Sequence, residues 1–210
     1  MQKKGFTIIE IVVVFFLMLG VLFLVYPKSV DSSRQAKLIS KWAQKISELD
    51  YMFSVYRAQK DGDFGVKLSQ AQNEDARNKI LEDIIRPYLR ITSELKTVYS
   101  PMFMDKSAVS TDSKYYFKHY YLTSTNEIVG LKFINPNCNE KDACFIMSFD
   151  INGTNPPNLW GYDIYGIDVY NDKIAPFGKE INSQMLKQNC SRSGSGVYCS
   201  YYYLIGGKFE

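Results

Sequence analysis

The chain has 210 residues, with 25 lysines and arginines against 22 aspartates and glutamates, a formal charge of +3. That length suits one domain plus an anchor, and so small a charge argues against nucleic acid or acidic lipid as a main partner. A single histidine, with no G-x-S-x-G, no phosphate loop and no His/Cys cluster, argues against an enzyme. Sixteen tyrosines offer apolar bodies with polar tips, which suits subunit interfaces or a half-exposed sheet.

The chain opens on Lys3 and Lys4, then Gly5, then an apolar run from Phe6 to Tyr26 closed by Pro27. Roughly 20 apolar residues suffice to span a bilayer as a helix, so residues 6–27 read as a transmembrane helix. The basic head keeps its N-terminus on the cytoplasmic side. Glu10 interrupts the run in its first turn. A carboxylate at membrane depth is costly and asks for a partner, and a helix N-terminus favours pairing it with a positive charge. A secretory signal would have a shorter apolar core, about 7–15 residues, followed by a small-residue cleavage site; neither is seen. A plain signal anchor has no need of Glu10.

The segment Lys3-Lys4-Gly5-Phe6-Thr7-Ile8-Ile9-Glu10 resembles the processing site of the type IV pilin superfamily, which includes the pseudopilins of type II secretion. The resemblance implies a leader at residues 1–5, cut after Gly5 by a prepilin peptidase that methylates the new amine of Phe6. It implies that residues 6–27 form the transmembrane and assembly helix, and that residues 28–210 form a head outside the cytoplasm. Glu10 would pair with the Phe6 ammonium of a neighbouring subunit. Two groups that are each costly alone in lipid would then fix the axial register between subunits. The implied partners are copies of the chain or other pilins, the peptidase, and an assembly platform in the inner membrane with its ATPase. The implied location is the cytoplasmic membrane and then a surface pilus, serving adhesion for example, or a periplasmic pseudopilus for protein transport.

Past Pro27, Leu38, Ile39, Trp42, Ile46, Leu49, Phe53 and Tyr56 recur at helical steps. One long helix therefore continues over 28–60, loosened at Pro27, and stops in the turn cluster at Lys60-Asp61-Gly62-Asp63. Ser69 to Arg90 reads as a second helix with a break just before Pro87. Thr92 to Ser113 shows little periodicity, so 61–113 forms a variable helical region ending in an irregular connection. From Tyr115 the period shifts toward two. Strands are expected at Tyr115–Leu122, Glu127–Ile134, Ala143–Asp150, Gly161–Tyr170 and Val197–Ile205, making 114–210 an antiparallel sheet region. The predicted class is α+β, and the resemblance makes it pilin-like, a long N-terminal helix packed on the sheet.

Four cysteines lie in the C-terminal half. An even count in an oxidising compartment reads as disulfides. Cys138–Cys144 and Cys190–Cys199 are the favoured pairs, because each flanks a short polar loop; buried free thiols and a zinc site are the alternatives. Zinc spacing is absent, and only His119 could join the cysteines. In pilins a disulfide-bounded loop near the C-terminus often lies on the filament surface, although a stabilising staple explains Cys190–Cys199 equally well.

The densest polar constellation runs from Asp150 to Tyr165, with Asp150, Asn152, Gly153, Asn158, Gly161 and Asp163. It resembles a motif of pilin-like and pseudopilin sequences. Asp150, Asn152, Asn158 and Asp163 could gather oxygen ligands around Ca²⁺, although Gly161 stands where an EF-hand needs a glutamate. The other reading is a tight loop held by its own Asx and glycine turn chemistry. Against the filament subunit stands one further expectation, a membrane-anchored extracytoplasmic binding domain that never polymerises.

Overall fold

A computed structural model describes residues 8–60, 71 and 73–208, with the side chains of 22–31 and 60 outside the described set. Gly5 and Phe6 lie outside the described residues. The chain divides into two compact units, residues 1–37 and 38–210.

Helix α1, Ile8–Lys60, begins in the first unit and continues into the second, with a helical backbone through Pro27. In the first unit its apolar side chains are exposed on every face, from Ile8 and Ile9 through Phe15, Phe16 and Leu17 to Val21. Glu10 sits in the first turn, also exposed. Among the described residues, no helix is long and apolar enough to cross a membrane.

The second unit is α+β. Its six strands are β1 (Ile91–Glu94), β2 (His119–Thr123), β3 (Ile128–Phe133), β4 (Phe145–Asp150), β5 (Ile164–Val169) and β6 (Ile174–Pro176). They form one antiparallel sheet in sequence order, with short links at β2–β3 and β5–β6 and the longest, residues 95–118, between β1 and β2. Alternation along the central strands sends side chains to two separate cores. Phe145, Met147 and Phe149 of β4, with Tyr165, Ile167 and Val169 of β5, face the core that holds Trp42, Leu49 and Phe53 of α1. Ile146 and Ile164 face a second cluster with Phe117, Trp160, Phe177 and Val197. The central sheet is therefore covered on both sides and is not half-exposed, which is why every residue of β4 is buried.

Three expectations need correction. Val197–Ile205 is not a strand; it forms the short helix α4 (Cys199–Tyr202) within a run of tight turns. Cys199 and Tyr203, about one helical turn apart, both reach the core that holds Trp42. Ser200 turns its hydroxyl to backbone, donating to the nearby Val197 carbonyl at 2.9 Å and accepting from the N–H of Gly166 on β5 at 2.9 Å. The second helix, α2 (Glu74–Leu89), runs through Pro87 and ends at Arg90 in the left-handed region. Proline near a helix end removes only one ladder bond, and the Arg86 guanidinium braces this turn on Glu82 and on the Ile91 carbonyl. The cap is Asn73, whose Oδ1 accepts from the Ala76 N–H at 2.8 Å. Ser69, Gln70 and Gln72 of the predicted helix lie outside the described residues. Finally, 92–113 is not wholly irregular, because β1 adds an edge strand there, bulged between Ile91 and Ser93. Helix α3 (Ser183–Asn189) and strand β6 were not foreseen.

Candidate functional site

The loop between β4 and β5 draws together all four residues singled out as oxygen ligands. Three glycine or asparagine positions let the backbone turn that tightly. Gly153, Asn158 and Gly161 have φ of 70°, 54° and 79°, a region where a Cβ is disfavoured and asparagine is tolerated. At Gly153 a Cβ would meet the Asn126 carbonyl at 2.3 Å, and at Gly161 the Gly196 carbonyl at 2.5 Å. The loop is thus pressed against both the β2–β3 turn and the C-terminal segment.

Its two carboxylates are buried, Asp150 at 1% exposure and Asp163 at 0%. Asp163 caps the loop. Its Oδ1 accepts from the Leu159 N–H at 2.6 Å, and its Oδ2 accepts from the Asn158 N–H at 3.0 Å and from Asn152 Nδ2 at 3.2 Å. Asp150 Oδ1 accepts from the Asn152 N–H at 3.1 Å, and its Oδ2 accepts from the Tyr99 hydroxyl. With its amide nitrogen turned inward, Asn158 donates to Asp150 Oδ2 at 3.1 Å and to the Asn155 carbonyl at 2.9 Å. Burial, followed by the neighbouring Asp163 charge, pushes the Asp150 carboxyl up to about 8. Burial likewise raises Asp163 to about 6, against the pull of its N–H donors. The Tyr99 hydroxyl is pushed up by burial and then by Asp150.

As arranged, these residues do not fit calcium. The centre of the loop is filled by N–H donors that point at the carboxylates, where a cation would need six to eight oxygens. Asn152 offers Asp163 its nitrogen, while its Oδ1 is buried without a hydrogen-bond partner among the described residues. Among the described residues no group of three or more His, Cys, Asp and Glu comes together. The arrangement is that of a loop whose two carboxyls are met by N–H and O–H donors, while Asn152 Oδ1 is left over. Tyr99 is the member that the sequence did not reveal. It comes from the stretch without periodicity, 51 residues before Asp150, and no local spacing marks it.

The cysteines pair as Cys138–Cys144 and Cys190–Cys199, and none is free. The second bridge closes the segment that holds α1 in place. Trp42 donates through Nε1 to the Ser200 carbonyl at 2.7 Å and stacks on Tyr165 at 5.0 Å between ring centroids. Tyr203 donates to the Gly161 carbonyl at 3.1 Å. The only histidine, His119, stands apart from both loops at the start of β2, against Glu94 and Asp75. Glu10, in the other unit, is the one described member of the predicted assembly site; Gly5 and Phe6 lie outside the described residues.

No family model, no curated protein and no solved structure matches the chain.

Proposed function

We propose that the chain is a pilin-like structural subunit, made with a leader at residues 1–5, processed after Gly5 and polymerised through the N-terminal part of α1. The observation that carries this reading is the helix itself. Ile8–Val21 presents large apolar side chains to its surroundings on all sides, with a carboxylate, Glu10, in its first turn. A helix that is apolar all round is stable only inside lipid or inside a bundle of its own kind. The same helix then carries the one-sided stripe Leu38, Trp42, Leu49 and Phe53 that belongs to the α+β head. The reading supplies one occupant for the first stretch, the same stretch of neighbouring subunits, with membrane before assembly. It also gives Glu10 a reason to exist, the Phe6 amine freed by processing.

Two disulfides fit a head on the oxidising side of the membrane. Whether the filament is a surface pilus or a periplasmic pseudopilus does not affect this chemistry, and the same partners serve both: other subunits, a prepilin peptidase, and a platform with its ATPase. The test is Glu10→Ala in the native host. The subunit should still insert in the membrane and keep its folded head, while its incorporation into filaments falls to background. Unchanged incorporation would remove the pairing and leave the non-polymerising anchored domain as the better account.

A further inference from the structure

We propose that the groove between α1, the end of α2 and the β2–β3 turn is a binding site for a small ligand with an aromatic body and one carboxylate. The groove has a volume of about 460 Å³, inside the range of about 300–1,000 Å³ usual for small-molecule sites. Buried Leu49 and Met52 line it, with half-buried Val55 and Leu89, and Tyr51 and Tyr88 add two rings. Three ties between its walls preform it. Lys45 of α1 pairs with Glu127 of the turn at 2.9 Å. The Ser124 N–H of the turn donates to the carbonyl of Arg90, at the end of α2, at 3.0 Å. The Tyr88 hydroxyl donates to Gln59 of α1 at 3.3 Å, and its ring meets Tyr56 edge-on with centroids 6.0 Å apart. Every pair of walls is therefore joined, and the space between them is left for something else. A preformed, mostly apolar space with a few polar groups at hand is the ordinary form of a ligand site.

Charge selects the polar end of the ligand. Lys45 and Glu48 also line the groove, but they are spent on each other at 3.1 Å, and Lys45 on Glu127 as well. Arg90 and Ser124 line it too, and both are exposed. Among the described residues the Arg90 guanidinium has no carboxylate partner, and the Ser124 hydroxyl makes no hydrogen bond. The unspent groups are thus a fork of N–H donors and an O–H, brought together by the backbone bond between the two residues. Their complement is a carboxylate, which accepts from both. The apolar lining selects the body. Tyr51 is 73% exposed although it borders an apolar groove, and it and Tyr88 offer faces and edges for a third ring. The Met52 thioether adds a contact that aromatic rings favour over aliphatic chains.

The test is a titration of the full chain in phosphatidylcholine nanodiscs with phenylpropionate, its uncharged analogue phenylpropanol, and acetate, read from the methionine methyl resonances and the Ser124 amide. Phenylpropionate should shift the Met52 methyl and the Ser124 amide and saturate at roughly millimolar concentration. The methyls of Met102 and Met185, exposed and outside the groove, should stay in place. Phenylpropanol should bind roughly twofold to fivefold more weakly, the range of a partly exposed ion pair, and acetate should give no saturable shift. Arg90→Gln, at an exposed position, should lower the affinity for phenylpropionate to that for phenylpropanol. The comparison of the two analogues on the unmodified chain decides the matter if that variant does not fold. No saturable shift of Met52, a shift shared equally by Met102 and Met185, or equal affinity for phenylpropionate and phenylpropanol would overturn the site.

Discussion

Residues 8–21 and 38–56 belong to one helix, yet they meet opposite fates. The first stretch is apolar on every face and leaves Ile8, Phe15, Phe16 and Leu17 exposed. The second is apolar along one stripe, and Trp42, Leu49 and Phe53 are buried with polar residues between them. Hydrophobicity and periodicity both separate the two: Glu10 is the one charged residue of the first stretch, whereas Lys41, Lys45, Glu48 and Asp50 interrupt the second and confine its apolar residues to a stripe. A stripe is complementary to something in its own chain, here the face of the sheet that carries Phe145, Met147, Phe149 and Tyr165. An all-round apolar surface calls for apolar surroundings on every side. The second unit, by contrast, buries two acidic side chains, Asp150 and Asp163.

Single substitutions sharpen this contrast. Trp42→Ala should have the largest effect on the head, about 3–5 kcal/mol of unfolding free energy, because it removes a fully buried ring, its stack on Tyr165 and the bond to Ser200. Phe16→Ala in the first stretch should leave the stability of the head within about 0.5 kcal/mol of the unmodified chain. Chemical denaturation of the two variants side by side measures both. Comparable losses would mean that the two stretches do not differ in the way described.

A smaller effect is expected from pH. Both loop carboxyls have folded pKa values raised above those of the unfolded chain, Asp150 to about 8 and Asp163 to about 6. The protonated forms therefore favour the folded state, and the contribution is lost as pH rises from about 4 through 8. Asp150→Asn keeps an oxygen for the Asn152 N–H and turns an amide N–H toward the Tyr99 oxygen, but cannot ionise. Its melting temperature should fall less steeply over that pH window than that of the unmodified chain. A variant with an identical slope would place the pH dependence elsewhere. The smallest effect is expected from Ca²⁺. Millimolar Ca²⁺ should leave the melting temperature unchanged, since the loop's carboxylates are already held by N–H donors. A rise would mean that Asn152 and Asn158 turn their oxygens inward to meet the ion.

The stripe from Leu38 to Tyr56 was legible because burial repeats there at helical spacing. Strands β3, β4 and β5 were legible because their runs are rich in β-branched and aromatic residues, although cover on both sides leaves no alternation of burial. The C-terminal run Val197–Ile205 misled because aromatic richness suits a strand. A helix governs there because the Cys190–Cys199 bridge and Ser200 anchor it by short-range bonds. Pro87 misled in the other direction, since its effect depends on how near the helix end it lies and on what Arg86 can reach. At the β4–β5 loop the sequence revealed the cluster of Asp150, Asn152, Asn158 and Asp163 but not which atom each would present. Amide orientation is settled by neighbours such as Leu159 N–H and Tyr99, and Tyr99 is joined to Asp150 by the tertiary fold alone.

The central claim, that the N-terminal part of α1 is an assembly helix released by processing, is tested most directly by the intact mass and N-terminal sequence of the protein recovered from native membranes and from sheared surface material. The account predicts a chain that starts at N-methylated Phe6 and carries both disulfides. A chain that still starts at Met1 in both fractions would contradict it, and the apolar stretch would then be an anchor and nothing more.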